Sequence, residues 1–387
     1  MALILLSSRG YLTQAHVMKT ILSSKLHRTL LAAAVFFSAG FAVPQTANAA
    51  ISNGLFYPMI TAGDPNGLPP DSPSNRIDPN LPSSPFSGVV SINIRYDGKS
   101  YICSGTLVSK RDIVTAAHCV DTSGSGTLID ISRVGNDVRA VFNASNILGD
   151  PGRAVITATS VSMNPYYQGF GNCPPGVDAF CLNDDIAVIH LGQDAPDSAR
   201  IYRAYTGDVS AGQLITMVGY GTSGDGVSGY YVDPAFRTKR SGKNYMDLFD
   251  GNDEANFASG PNEVWYADFD GRGRDSFCNY FGVCTPVLPN NVEAGIGGGD
   301  SGGPSFFYNG YDYFLVGNNT FGGTFRGQTA GTFGTYFGGM LIGAYTDYLI
   351  EATGGAIQTW NGVPEPGSLA LLGLALGALP LVRRRKF

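Results

Sequence analysis

Two strings in this chain gather residue types that can do chemistry together. Residues 114–119 read Val-Thr-Ala-Ala-His-Cys, and far downstream residues 297–304 read Gly-Gly-Gly-Asp-Ser-Gly-Gly-Pro. A serine hydroxyl is nearly inert at neutral pH until an adjacent base takes its proton during attack. That base has to titrate near neutrality, which points to histidine. Beyond residue 49 the chain holds two histidines, His118 and His190. His190 sits at the end of the apolar run Asp185-Ile186-Ala187-Val188-Ile189-His190-Leu191, where strand packing accounts for it. The run Gly297-Gly298-Gly299 alone would mark only a flexible loop; joined to Asp300-Ser301-Gly302-Gly303-Pro304 it is informative.

Both strings, in this order, resemble those of the chymotrypsin-like serine proteases, over residues 88 to about 350. The resemblance implies Ser301 as nucleophile and His118 as its acid/base. It also implies a buried carboxylate that orients the imidazole, set just before an apolar strand. Asn183-Asp184-Asp185-Ile186-Ala187-Val188 fits and selects Asp185; Asp184 is the second choice, because its side chain leaves from the opposite side of the strand. The interval from His118 to Asp185 is 67 residues, longer than is usual in the family, and the extra length is expected to hold a Cys173–Cys181 loop. The oxyanion donors implied are the backbone N–H groups of Gly299 and Ser301, and a glycine at 299 lets the peptide turn toward the substrate. No cofactor is implied, and the partners are protein or peptide substrates.

Specificity and activation depart from the commonest pattern. Trypsin-like members carry an Asp six residues before the nucleophile, where this chain has Gly295. Four residues before it stands Gly297, where the family commonly has a disulfide cysteine. Thr320-Phe321-Gly322 resembles the strand that pairs with the substrate backbone, with Phe321 on the pocket side, so an uncharged pocket for apolar or small side chains is expected. In the family a newly exposed N-terminal Ile or Val buries its ammonium against the Asp before the nucleophile, here Asp300. Arg76-Ile77 is the expected source of that terminus, with Ile51 the alternative. Between Gly221 and Val292 lies an insert carrying Asp247, Asp250, Asp253, Glu254 and the run Asp268-Phe269-Asp270-Gly271-Arg272-Gly273-Arg274-Asp275. Clustered carboxylates can hold calcium, which takes six to eight oxygens. The spacing is not that of an EF-hand loop and two arginines interrupt the charge, so the insert reads as solvated and metal-free.

Short β-branched runs separated by turns must position these residues. They include residues 89–94, 101–108, 112–115, 154–156 and 185–191, followed by a second series at 213–221, 263–266, 305–307 and 313–317. The expected fold is all-β, two antiparallel six-stranded barrels (about 87–205 and 206–350) with a C-terminal helix over 345–351. Residues 50–86, rich in proline, read as a surface wrap or pro-segment. Six cysteines in an exported chain suggest disulfides, and their local spacing favours Cys103–Cys119, Cys173–Cys181 and Cys278–Cys284.

The two ends read as sorting signals. Residues 18–49 have early cations, an apolar run over 30–41 and Ala47-Asn48-Ala49, a secretory leader with cleavage expected after Ala49. Val363-Pro364-Glu365-Pro366 precedes a 15-residue apolar stretch and Arg383-Arg384-Arg385-Lys386. As a helix that stretch rises only about 22 Å against a hydrocarbon core of about 30 Å, and the cations would hold its end on the cytoplasmic face. This tripartite tail over 364–387, after a linker at 351–363, resembles the PEP-CTERM sorting signal of Gram-negative bacteria. The resemblance implies transient inner-membrane anchoring, processing by an exosortase-type enzyme, and a destination at the cell envelope or outside the cell. The formal charge is −6; residues 1–49 carry four cations and no acid and residues 364–387 four cations and one acid, which leaves −13 for residues 50–363. So acidic a middle argues against a nucleic-acid partner. The reading as a whole is an exported serine endopeptidase, with a non-catalytic binding module of the same fold as the alternative.

Overall fold

The computed structural model describes residues 60–325 and 327–362. The leader at 1–49 and the sorting tail at 364–387 lie outside the described residues. A two-residue edge strand, β1 (Ile77–Asp78), precedes the first unit. Six strands follow: β2 (Val89–Tyr96), β3 (Lys99–Leu107), β4 (Asp112–Thr115), β5 (Asp137–Phe142), β6 (Ala154–Met163) and β7 (Ala187–Leu191). They close into a barrel in the order β2-β3-β4-β7-β6-β5. Asp97 and Gly98, with φ of +50° and +73°, form the tight β2–β3 turn, whose twist matches that of the flanking strands. Along β6 the alternation expected of a strand with one wet face is plain: Ile156 and Ala158 point inward while Val155 is exposed. Val90, Ile92, Leu107, Ile113, Val138 and Ile189 fill the interior, and each such side chain contributes about 1.5–3 kcal/mol of burial.

The second unit holds β8 (Ala204–Tyr205), β9 (Gln213–Gly219), β10 (Ser223–Asp225), β11 (Gly229–Val232), β12 (Lys239–Met246), β13 (Leu248–Gly251) and β14 (Asn262–Asp268). After the short helix α1 (Ser276–Phe281) come β15 (Pro304–Tyr308), β16 (Tyr313–Gly323), β17 (Tyr336–Leu341), helix α2 (Thr346–Ala352) and β18 (Thr359–Trp360). The six-stranded second barrel expected from the sequence is not what the ladders give. Ten strands make one sheet, with the path β1-β12-β9-β15-β16-β17-β14-β13, and no ladder closes it among the described residues. The surplus comes from additions at its margins: β1 adds to β12, and β8 joins β16 and β18 through parallel pairs. β10 and β11 form a separate hairpin.

A second apolar cluster lies between the units and joins them. Ile102, Val114, Ile186 and Val188 from the barrel pack with Val218, Tyr220, Phe306, Phe321 and Met340 from the sheet. The proline-rich segment from residue 60 on is stitched into this body. Ile60 is fully buried, and Ala62 exchanges backbone hydrogen bonds with Gly224 and Gly226. The structure joins Cys103–Cys119, Cys173–Cys181 and Cys278–Cys284. Among the described residues no helix is long and apolar enough to cross a membrane.

Candidate active site

His118 lies on a single turn of 3-10 helix, Ala117–Cys119, directly after β4, and Asp185 stands two residues before β7. β4 and β7 are paired in the barrel, so the two side chains start from neighbouring strand ends. Asp185 is fully buried. Its Oδ1 accepts from the His118 backbone N–H at 2.8 Å and its Oδ2 meets His118 Nδ1 at 2.7 Å. An ionised carboxylate only accepts, so Nδ1 carries the proton and Nε2 is left with its lone pair. Asn318 of β16 donates to the carbonyls of Asp185 and Thr115, which ties this corner of the barrel to the sheet.

Ser301 comes from the other side, on the loop that enters β15. Its carbonyl accepts from Ser104 N–H at 2.8 Å, and Ser104 Oγ donates to the Gly299 carbonyl at 2.9 Å. Cys119 Sγ lies 3.8 Å from the Ser301 carbonyl oxygen and 3.9 Å from His118 Nε2, so one sulfur touches both partners. No hydrogen bond joins Ser301 Oγ to His118 among the described residues. Two glycines are required in this loop. Gly299 has φ of +97°, and Gly302 has φ of +77° with a Cβ position only 2.1 Å from Thr115 Oγ1. The N–H groups of Gly297, Asp300, Gly302 and Gly303 all donate hydrogen bonds; those of Gly298, Gly299 and Ser301 donate none among the described residues, and of these three residues Gly298 alone is exposed.

Asp300 is fully buried, with Oδ1 accepting from Gly221 N–H at 2.6 Å and Oδ2 from Gly297 N–H at 3.0 Å. Burial pushes its carboxyl up to about 7, against the pull of those two donors and of Arg240. Arg76, the residue before the expected new terminus, is held within the fold. Its guanidinium, on a residue only 6% exposed, bonds Asp71 and the carbonyls of Val292, Glu293 and Asn290. Arg76 is therefore a tether holding two segments together. Ile77 itself pairs with Arg240 on β1, and Ile51 lies outside the described residues. The segment packed beside the Asp300 loop is Ile60–Thr61 instead: Ile60 accepts from Ser223 Oγ at 2.6 Å and Thr61 N–H donates to the Gly295 carbonyl at 3.3 Å.

Around the expected specificity residues the side chains are neutral. Gly295 receives Thr61 Oγ1 as the acceptor of its N–H at 2.9 Å, and the Phe269 ring covers its Cβ position. Phe321 is buried edge-on against Tyr266. Thr320 falls in a bulge of β16, buried, with its Oγ1 unpartnered, while Gly322 is exposed. One residue that sequence reasoning missed is Phe170, whose ring centre lies 5.1 Å from that of His118. It is delivered by the long β6–β7 connection, where Gly171 N–H bonds the Cys181 carbonyl.

Asp184 and His190 both turn away from this site. Asp184 has φ of +66° and bonds Asn164, and its carboxyl is pushed up by burial and by Glu254, Asp253 and Glu263. His190 makes its own constellation: Nδ1 meets Asp112 Oδ1 at 2.8 Å and Nε2 meets Ser162 Oγ at 2.9 Å. Ser162 is paired within β6, so no glycine turn presents free N–H groups beside it. The group Cys103, His118 and Cys119 has metal-like proximity, but both sulfurs are engaged in a disulfide.

A family model described as Trypsin matches residues 78–233, a span that includes His118 and Asp185 but not Ser301. Brachyurin from Leptuca pugilator is 31% identical over 134 residues, which is 33% of this chain and 49% of that protein. The "Inactive serine protease PAMR1" of Xenopus tropicalis is 30% identical over 108 residues, 27% of this chain and 13% of that protein. The chain thus spans about half, or less, of the curated relatives it matches. One relative is named as inactive, so similarity alone does not decide activity. Together with the closed six-stranded barrel, these matches support a chymotrypsin/trypsin-like serine protease family for this chain.

Proposed function

We propose that the chain is an exported serine endopeptidase working through an acyl-enzyme. The observation that carries this reading is the donor pattern of the 297–303 loop. Three N–H groups there have no hydrogen bond among the described residues: that of Gly298, an exposed residue, and those of Gly299 and Ser301, which are buried and lie across Cys119 from an imidazole held by Asp185. Ser301 Oγ attacks the scissile carbonyl as its proton passes to His118 Nε2. Asp185 keeps the proton on Nδ1 and stabilises the imidazolium, and the Gly299 and Ser301 N–H groups donate to the developing oxyanion. His118 then protonates the leaving amine, and water reverses the sequence to free Ser301. Gly295, Phe321 and Thr320-Gly322 supply an uncharged first specificity pocket and a strand for the substrate backbone.

In the same reading, the terminus that completes the Asp300 loop is Ile60. Its neighbours Thr61 and Ser223 already bind that region, and an ammonium there would compensate a carboxylate that now has only amide donors and the field of Arg240. The tail at 364–387 would supply transient membrane attachment and a substrate for an exosortase-type enzyme, with residues 87–350 as the protease domain. Digestion of a peptide library, analysed by mass spectrometry, tests the reading. Cleavage after apolar or small residues that vanishes in Ser301→Ala is expected; equal cleavage by that variant would overturn it.

A further inference from the structure

The acidic insert, expected to be solvated, is folded inward. Asp268 ends β14 and Asp270 follows it, at 2% and 5% exposure. Asp275 precedes α1 and caps it, accepting from Cys278 N–H at 2.7 Å. One carboxylate oxygen from each of the three lies within 4.8 Å of the others. Glu293, also buried, closes in from a later segment of the same chain, with Oε1 facing the Asp270 N–H at 3.5 Å. Asp247 adds a fifth carboxylate, near enough for Asp268 and Asp275 to act on it.

The two arginines of the run do not neutralise this group. Arg272 pairs with Asp64, and Arg274 donates to the Phe333 carbonyl at 3.0 Å. Among the described residues none of the five acids forms an ion pair. A second and independent observation is an orphan atom inside the cluster: Asp270 Oδ1 is buried with no hydrogen-bond partner, and so is Asp247 Oδ1. Unpaired buried carboxylates are costly unless they are protonated or meet a cation. The donor set is oxygen only, which favours a hard cation with flexible geometry over zinc or copper.

We propose that Asp268, Asp270 and Asp275 form the core of a calcium site completed by Glu293. Its position gives it a job. Glu293 bridges to Lys243 of β12 and leads straight into Ala294-Gly295-Ile296, the approach to the 297–303 loop. The ion would pin the β14–α1 turn to that approach.

Calorimetric titration of the metal-free protein with CaCl2, alongside its thermal unfolding with and without Ca2+, tests the site. Saturable Ca2+ binding is expected in the wild type, with a rise in unfolding temperature. Asp270→Asn should weaken binding at least about tenfold and abolish that rise, while its metal-free form unfolds no earlier than wild type because a repelling charge is gone. Asp275→Asn, whose amide oxygen can still cap α1, serves if the first variant does not fold. Asp253→Asn, in the separate cluster with Asp184 and Glu254, should keep the Asp270-dependent response. Absence of binding by wild type up to about 10 mM Ca2+, or wild-type affinity in both Asp270→Asn and Asp275→Asn, would overturn the site.

Discussion

Asp185, the carboxylate proposed to orient His118, has little room for substitution. Both oxygens receive hydrogen bonds from residue 118, one from its backbone and one from its ring. In Asp185→Asn the amide would present N–H toward Nδ1 and force the proton onto Nε2, where it blocks attack. Turnover should fall on the order of 10⁴-fold with the fold intact; a loss below about tenfold would remove Asp185 from the mechanism. His190 provides the internal control, since it has an Asp and a Ser partner at similar distances but no free N–H pair beside Ser162. His190→Gln should therefore leave peptidase activity within about twofold, whereas His118→Ala removes nearly all of it. At this scale the sequence was most readable where the chemistry is local. His118 and Ser301 each sit in a short string, and so does Asp185. Phe170 was not legible, because nothing in Gly169-Phe170-Gly171 says that a long, disulfide-closed connection folds it over the imidazole.

Elements hold the site through contacts that leave no space. A methyl at Gly302 would meet Thr115 Oγ1 at 2.1 Å in a left-handed backbone, so Gly302→Ala should cost several kcal/mol or prevent folding, read by denaturant titration. Replacing Cys103 and Cys119 by alanine opens a 16-residue loop and should cost about 3 kcal/mol. The acidic insert sets a pH dependence. Burial and neighbouring carboxylates push Asp247 and Glu293 each up to about 8 and raise Asp268 and Asp270 as well; burial raises Asp300. These groups bind protons in the fold that the unfolded chain has already lost, so metal-free stability should fall as pH rises from about 4 to about 8. Thermal unfolding across that range checks the sign, and a rise would contradict it. Helix α1 escaped sequence reasoning because Ser-Phe-Cys-Asn-Tyr-Phe carries no strong helix former; its Asp275 N-cap and left-handed Gly282 make it. The insert was misread as solvated because spacing along the chain does not report which carboxylates a hairpin turns inward.

For the whole molecule, the interface between barrel and sheet is where the loop of Ser301 meets the barrel end that carries His118 and Asp185. The sequence showed two β units but not that the second is an open ten-stranded sheet, since β1, β8 and β18 are two-residue pairings with no periodicity to read. Residues 60–86 belong to that body. Arg76→Gln should destabilise it by roughly 3–5 kcal/mol by leaving the buried Asp71 carboxylate unpaired, measured by denaturant unfolding. N-terminal sequencing of active protein should begin at Ile60, and full activity in a chain beginning at Ile77 would contradict the role given to Ile60–Thr61. The most direct test of the central claim is reaction of the folded protein with a fluorophosphonate, followed by peptide mapping. A single adduct on Ser301, absent from His118→Ala and leaving Ser162 unmodified, is the expected result; folded protein that never acquires the adduct at Ser301 would contradict the assignment of a serine peptidase.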